Sequence, residues 1–449
     1  MKAIVAAAAL LLAAFPTHAG SRVPPVASYR IEATLDETHR ITATETVTFV
    51  NRTHRSFSDL RLHLYLNAFR NDRSTWLREE DSGGGRDRKH GENERNFGYS
   101  EINRVSLADG TDLTPNLSYV SPDDGNPDDR TVVSVVLPTA IEPGGTLVFR
   151  VDFVAKLPRI VERTGVKDDF VLGGQWFPKL GVATDAGWNC HQFHAPTEFF
   201  ADFGDYDVTL TLPAENKGKV GGTGVLKEEA DLPGGRIRVR FTAEDVHDFA
   251  FTACPRYVVA RDSFTYKGLP NVEIVLLLQP DHRSARDRYI RAAKEGLAHY
   301  GTWYVPYPYP VLTVVDPPYG SHADGMEYPT FIVGGAPWPA SVPEREPEDV
   351  TVHEFGHQVF YGILASNEFE EAHLDEGFNT YATYKTMKAV WGDPVLVKRF
   401  FGIPFTFESV VLPYPVFQRR RFFEWQLRSR SDPTVGTTFR SLDGPAAIQ

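Results

Sequence analysis

The chain has 449 residues, 42% hydrophobic and 24% charged, which places it among ordinary globular proteins and leaves room for two or three domains. Its formal net charge of -12 works against a polyanionic partner, because phosphate binding needs a surplus of Lys and Arg. The tightest basic cluster, Arg419 to Arg421, is short, so no nucleic-acid partner is expected.

Residues 1–19 read as a secretory signal peptide: Lys2, an apolar run from Ala3 to Ala14, then small residues at Ala19 and Gly20. The run falls short of the roughly 20 apolar residues a membrane-spanning helix needs, and no later segment qualifies. The mature chain is therefore expected in the periplasm or outside the cell, without a membrane span. In an oxidising compartment Cys190 and Cys254 are equally open to a bridge and to two buried free thiols.

From Ser28 the hydrophobicity alternates with period two. Tyr29, Ile31, Ala33 and Leu35 are followed after a polar turn by Ile41, Ala43, Val47 and Phe49. The pattern returns at Leu60 to Leu64, at Leu147 to Phe153, and at Ile237 to Phe241 after the turn Pro233-Gly234-Gly235. An antiparallel β domain over residues 20–255 is expected. The charged, Gly-rich stretch from Asn71 to Asn96 reads as a surface loop.

After Arg256 the texture changes. A strand that is apolar but for Glu273 spans Val272 to Leu278, a helix carries Tyr289, Ala293, Leu297 and Tyr300 on one face, and a second strand spans Val311 to Val315. Residues 256–449 are expected to form an α/β domain, which makes the whole chain multidomain α+β.

That domain carries the strongest chemical signal. In the segment EPEDVTVHEFGHQVFYGILA, Val352, Phe355, Val359, Phe360 and Ile363 form one helical stripe, with Pro347 in the first turn. His353 and His357 then stand one turn apart, so both imidazoles can reach one ion, and Glu354 points beside them. With 18 residues separating it from His357, Glu376 lies in a second helix-like segment and offers the third ligand of a catalytic zinc site. One zinc ion held by His353, His357 and Glu376 would polarise a peptide carbonyl and acidify a water, with Glu354 as general base and then acid.

At these residues the sequence resembles the gluzincin aminopeptidases, the family of aminopeptidase N. Their pattern is His-Glu-x-x-His, an 18-residue gap and Glu within a string here written Asp375-Glu376-Gly377-Phe378. Upstream, Gly325-Met326-Glu327-Tyr328-Pro329 is similar to the family's Gly-x-Met-Glu-Asn motif in its bacterial form. The resemblance implies that Glu327, with Gly325 and Met326, binds the free amino group of a peptide, which makes an exopeptidase. His63 to Phe69, Tyr206-Asp207-Val208 with Pro213, and His247 to Ala250 look like framework landmarks of the same family. It further implies a saddle-like N-terminal β domain followed by a thermolysin-like catalytic domain.

The chain departs from the family at its end. A tyrosine that stabilises the oxyanion is expected well beyond the last zinc ligand, yet no Tyr follows Tyr414, and Leu442 stands in the matching place. The family's helical C-terminal part is also missing, which suggests an interrupted reading of a longer enzyme. A thermolysin-like endopeptidase and a zinc-containing peptide-binding protein without turnover are the competing functions. The cluster Cys190, His191 and His194 matches no common zinc spacing and reads as packing or surface.

Overall fold

The computed structural model describes residues 25–82, 96–159, 162–195, 197–323, 325–335, 339–393, 395–400 and 403–411. The signal-peptide segment, Tyr414, Arg419 to Arg421 and Leu442 lie outside them.

The period-two alternation becomes a seven-stranded sheet. Its order is Val225–Leu232, Arg236–Val246, Gly204–Pro213, Ala27–Leu35, Arg40–Val50, Thr146–Lys156 and Tyr99–Leu107. All neighbours are antiparallel except Ala27–Leu35 and Gly204–Pro213, which run parallel with Tyr29 opposite Tyr206. The inward set is buried, Ile31, Val47, Phe49, Phe149, Val151 and Val208 among it, because alternate side chains of a strand share one face. A second sheet, ordered Lys179–Leu180, Phe57–His63, Val132–Ile141 and Leu117–Val120, shares the same apolar core. Within that core Lys179 and Asp248 form a buried ion pair at 2.7 Å, with Gln175 bonded to both.

The stretch read as a surface loop from Asn71 is in part a helix, α1, Thr75–Ser82. Two interactions explain the difference. Trp76 and Leu77 are buried, and the Thr75 N–H donates to Asp129 Oδ2 at 3.1 Å. The capping acid comes from 54 residues away, where local composition cannot register it.

The next domain is built on a four-stranded sheet, Val258–Phe264, Val272–Leu278, Val311–Val315 and Phe331–Val333. The last three strands run parallel. From Ile274 to Leu278 both faces of this second strand are covered, which accounts for the apolar run: Ile274, Leu276 and Leu278 enter a second core and Leu277 enters the first, while Glu273 near the strand's start is exposed. Helix α2, Arg286–Trp303, buries Tyr289, Ala293, Leu297 and Tyr300 in that second core. Helices α3, Glu346–Gly356, and α4, Phe378–Trp391, pack against it, and the Tyr300 and Phe355 rings meet edge-on at 5.7 Å. The fold is therefore multidomain α+β, an N-terminal β domain followed by an α/β unit. Among the described residues no helix is long and apolar enough to cross a membrane.

The helix carrying His353 is shorter than its apolar stripe suggests. α3 ends at Gly356, and His357 caps it while keeping helical angles, so its N–H still bonds His353 O at 3.3 Å. Beyond it, Gln358 and Val359 bond three residues back rather than four, which tightens the chain into turns. Gly356 allows α3 to lie directly on α2 and α4: a Cβ there would overlap Asn379 Oδ1 and the Tyr300 hydroxyl. We expect Gly356→Ala to destabilise the protein by about 3 kcal/mol in denaturant unfolding. Wild-type stability in that variant would contradict the close approach.

Candidate metal centre

The structure brings His353, His357 and Glu376 together. Their donor atoms lie within 4.8 Å of one another. The two Nε2 atoms stand 3.2 Å apart, and Glu376 Oε2 lies 3.2 Å from the first and 3.7 Å from the second. Ligands of a tetrahedral zinc ion at about 2.0–2.1 Å stand about 3.3 Å apart, so two imidazoles and a carboxylate at these separations fit that metal.

The other ring nitrogens are engaged behind them, as outer contacts that orient metal ligands usually are. His357 Nδ1 lies 2.5 Å from Asp375 Oδ1, both groups buried, and His353 Nδ1 lies 3.4 Å from Thr383 Oγ1. Asn379 Nδ2 donates to His353 O at 2.8 Å, and Tyr300 donates to Asn379 Oδ1 at 2.9 Å. Asp375 and Glu376 emerge from a π-helical turn, His373–Gly377, immediately before α4. The wider turn aims two consecutive acids at one histidine pair. Glu327 also has a donor atom within 4.8 Å of His357 and Asp375. We read that second grouping as part of one site, because the His357 Nδ1 is already spent on Asp375.

Burial alone would raise the Glu376 carboxyl, but His357 and His353 outweigh it and hold it below its ordinary value. Burial would lower His357, yet Asp375 and Glu376 hold it well above its usual range. Glu354 is pushed up to about 8, chiefly by burial, against the opposing pull of His353. A divalent cation beside it would draw the group back down.

The segment around Glu327 lies over this site. Gly325 has φ +69°, and a Cβ there would come within 3.2 Å of Glu354 Oε1, so glycine lets the chain pass close over that carboxyl. Met326 is buried and exchanges backbone bonds with Val333 at 3.2 and 2.7 Å, in effect an extra edge on the sheet. Glu327 is only 4% exposed. Gln358 clamps the segment to the end of α3: its Nε2 donates to Glu327 O and Tyr328 O at 3.0 and 3.2 Å, and its Oε1 accepts from Thr330 N at 2.7 Å.

Two residues of the β domain, Arg163 and Glu198, reach the same place, and no local pattern marks them. Arg163 donates to Glu198, and its Nη1 lies 3.7 Å from Met326 Sδ. Burial pushes Glu198 up to about 8, Arg163 opposes it, and the charges of Glu327 and Glu376 add to the rise. Asp375 was legible in principle, since a carboxylate next to a ligand commonly orients a metal-bound histidine. His373 is exposed. Cys190 and Cys254 are both free and buried.

We expect Asp375→Asn to lower zinc affinity about 10- to 100-fold in competition against a chromogenic chelator. An unchanged affinity would separate Asp375 from the metal.

No protein-family model and no curated protein matches the sequence. Solved structures do. An M1 zinc metallopeptidase from Deinococcus radiodurans aligns with a TM-score of 0.53 at 14% identity, over 81% of this chain and 69% of that one. Legionella pneumophila aminopeptidase A, solved with aspartic acid, aligns at 0.54 and 14% identity over 83% of this chain. The match spans 39% of the Legionella chain. A two-domain M1 zinc metallopeptidase bound to L-tryptophan aligns at 0.50 and 16% identity, over 81% of this chain and 71% of that one. At these identities the likeness is one of fold: the chain has the architecture of M1 zinc metallopeptidases.

Proposed function

We propose that the chain is a zinc-dependent aminopeptidase of the M1, aminopeptidase N type, exported from the cytoplasm, that removes the N-terminal residue of peptides. The observation that carries this reading is the convergence of two imidazole Nε2 atoms on Glu376 with two further buried carboxyls, Glu354 and Glu327, beside them.

His353, His357 and Glu376 would hold one zinc ion, whose chemistry when bound is to polarise the scissile carbonyl and make water a nucleophile at neutral pH. Glu354 takes the proton from the attacking water and returns it to the leaving amine, a transfer that typically contributes about 10²- to 10⁴-fold. Glu327, with Glu198 beside it, pairs with the terminal ammonium and fixes how far the peptide enters, so that the first peptide bond is the one presented. Arg163 keeps these carboxylates from facing each other uncompensated.

The experiment is a comparison of three substrates with the zinc-loaded chain: an aminoacyl amide, its N-acetylated form and a peptide blocked at both ends. The proposal predicts hydrolysis of the first alone, lost on chelation and restored by zinc. Comparable cleavage of the doubly blocked peptide would make the protein an endopeptidase, and peptide binding without product would make it a binding protein. Glu354→Gln should retain zinc and lose about 10³-fold in kcat. Glu327→Ala should lose about 10²-fold in kcat/KM on the free amine and leave little discrimination against the acetylated form. A Glu327→Ala enzyme that still rejects the acetylated substrate would remove Glu327 from amine recognition.

A further inference from the structure

A chain of five ionisable side chains runs from the β domain into the connector that leads to Glu376, and the proposed chemistry uses none of them. Glu370 Oε1 lies 2.9 Å from His191 Nε2, and His191 Nδ1 lies 2.7 Å from Asp123 Oδ1. Asp123 Oδ2 lies 3.3 Å from His194 Nε2, and His194 Nδ1 lies 2.8 Å from Glu79 Oε1 on α1. The middle is the more deeply buried part: the side chains of Asp123 and His194 are 10% and 0% exposed, while Glu370 is 40% exposed.

Both nitrogens of His191 face carboxylate oxygens. A neutral imidazole has one N–H and cannot donate to two acceptors, whereas imidazolium has two, so this geometry suits the protonated ring. Both nitrogens of His194 likewise face carboxylate oxygens.

Glu370 is well placed to transmit the contact. Asn189 Nδ2 donates to its Oε1 at 3.1 Å, and Asn367 donates to its Oε2 at 3.0 Å while accepting from the Glu370 N–H at 3.2 Å. The neighbouring Phe369 ring is buried and stacks on His191 at 4.6 Å with 6° between the planes. From there the backbone bonds of Glu371 to Asn367 and of Leu374 to Glu371 lead into the π-helical turn that carries Asp375 and Glu376.

We propose that His191 is a positioning residue. In its protonated form it ties the connector to the β domain through Glu370 and so holds the turn bearing Glu376, and on losing a proton it releases the Glu370 end. The neutral ring keeps its single N–H for the shorter, more buried contact with Asp123, and its bare Nε2 then faces the Glu370 carboxylate, which is repulsive. The charged and titratable groups that act on His191 are Asp123 from the loop after Leu117–Val120, Glu370 from the connector and His63 from Phe57–His63, while Asp123 and Asp124 act on His194 of its own segment. Burial lowers the His191 value, but Asp123 and then Glu370 outweigh it, and the ring titrates above its ordinary value of 6.5. The tie is therefore fully present below that value and is lost as pH rises through the raised one.

The consequence for the metal rests on the proposed zinc site, while the tie itself does not. Hydrogen–deuterium exchange of residues 362–377, corrected for the chemical rate, would be followed in the metal-free chain at about pH 6 and about pH 8.5. Glu370→Ala, which also removes the Asn189 and Asn367 contacts at every pH, should exchange faster than wild type at both values, with the variant-to-wild-type ratio about tenfold larger at the lower. His191→Gln, which cannot titrate, should give the same exchange at both. In the zinc-loaded protein, release to excess EDTA should be faster in Glu370→Ala, by the larger factor at the lower pH. A variant-to-wild-type ratio that does not change with pH, or exchange unaffected by either substitution, would overturn the inference. Failure to bind zinc would contradict the proposed function and leave the exchange result as the test of the tie.

Discussion

The close contact of α3 with α4 is the constraint on which the candidate site depends. His353 and His357 come from one helix and its cap, Asp375 and Glu376 from the turn that opens the other, so the four can meet only where the two backbones nearly touch. Gly356 permits that approach, and Asn379, bonded to both His353 O and the Tyr300 hydroxyl, holds it. The packing that stabilises this domain therefore also orients its ligands.

The β domain contributes more than a support. Met326 and Tyr328, on either side of Glu327, are buried in the first core rather than the second, so that core and Gln358 together position Glu327. Arg163 and Glu198 extend the same influence to the charge beside it. The site is thus electrostatically shared. Three acids, Glu198, Glu327 and Glu354, crowd a buried space, and Arg163 and the histidines are the cations that make such crowding tolerable.

Much of this was legible in the sequence because it is written in local periodicity or fixed spacing. The alternation at Tyr29 to Leu35 and Ile41 to Phe49 became paired strands, and the apolar run Ile274 to Leu278 became a strand covered on both faces. The i, i+4 spacing of His353 and His357 needed only one helical turn to survive, and it did even though α3 stops at Gly356. What local reading missed depends on partners far away in the chain. Helix α1 is fixed by Asp129 and by burial of Trp76. Glu198 has meaning only beside Arg163 and Glu327. The histidines at 191 and 194, plain packing residues by their spacing, each stand between two carboxylates, and Glu370, one of those facing His191, comes from the other domain.

The central claim is that His353, His357 and Glu376 share one zinc ion. X-ray absorption on the zinc-loaded chain tests it most directly. The account predicts one tightly held zinc per chain, with imidazole scattering and only nitrogen or oxygen neighbours at about 2.0–2.1 Å. A sulfur neighbour at about 2.3 Å, which would bring in Cys190 or Cys254, or a second tightly held equivalent, would contradict it.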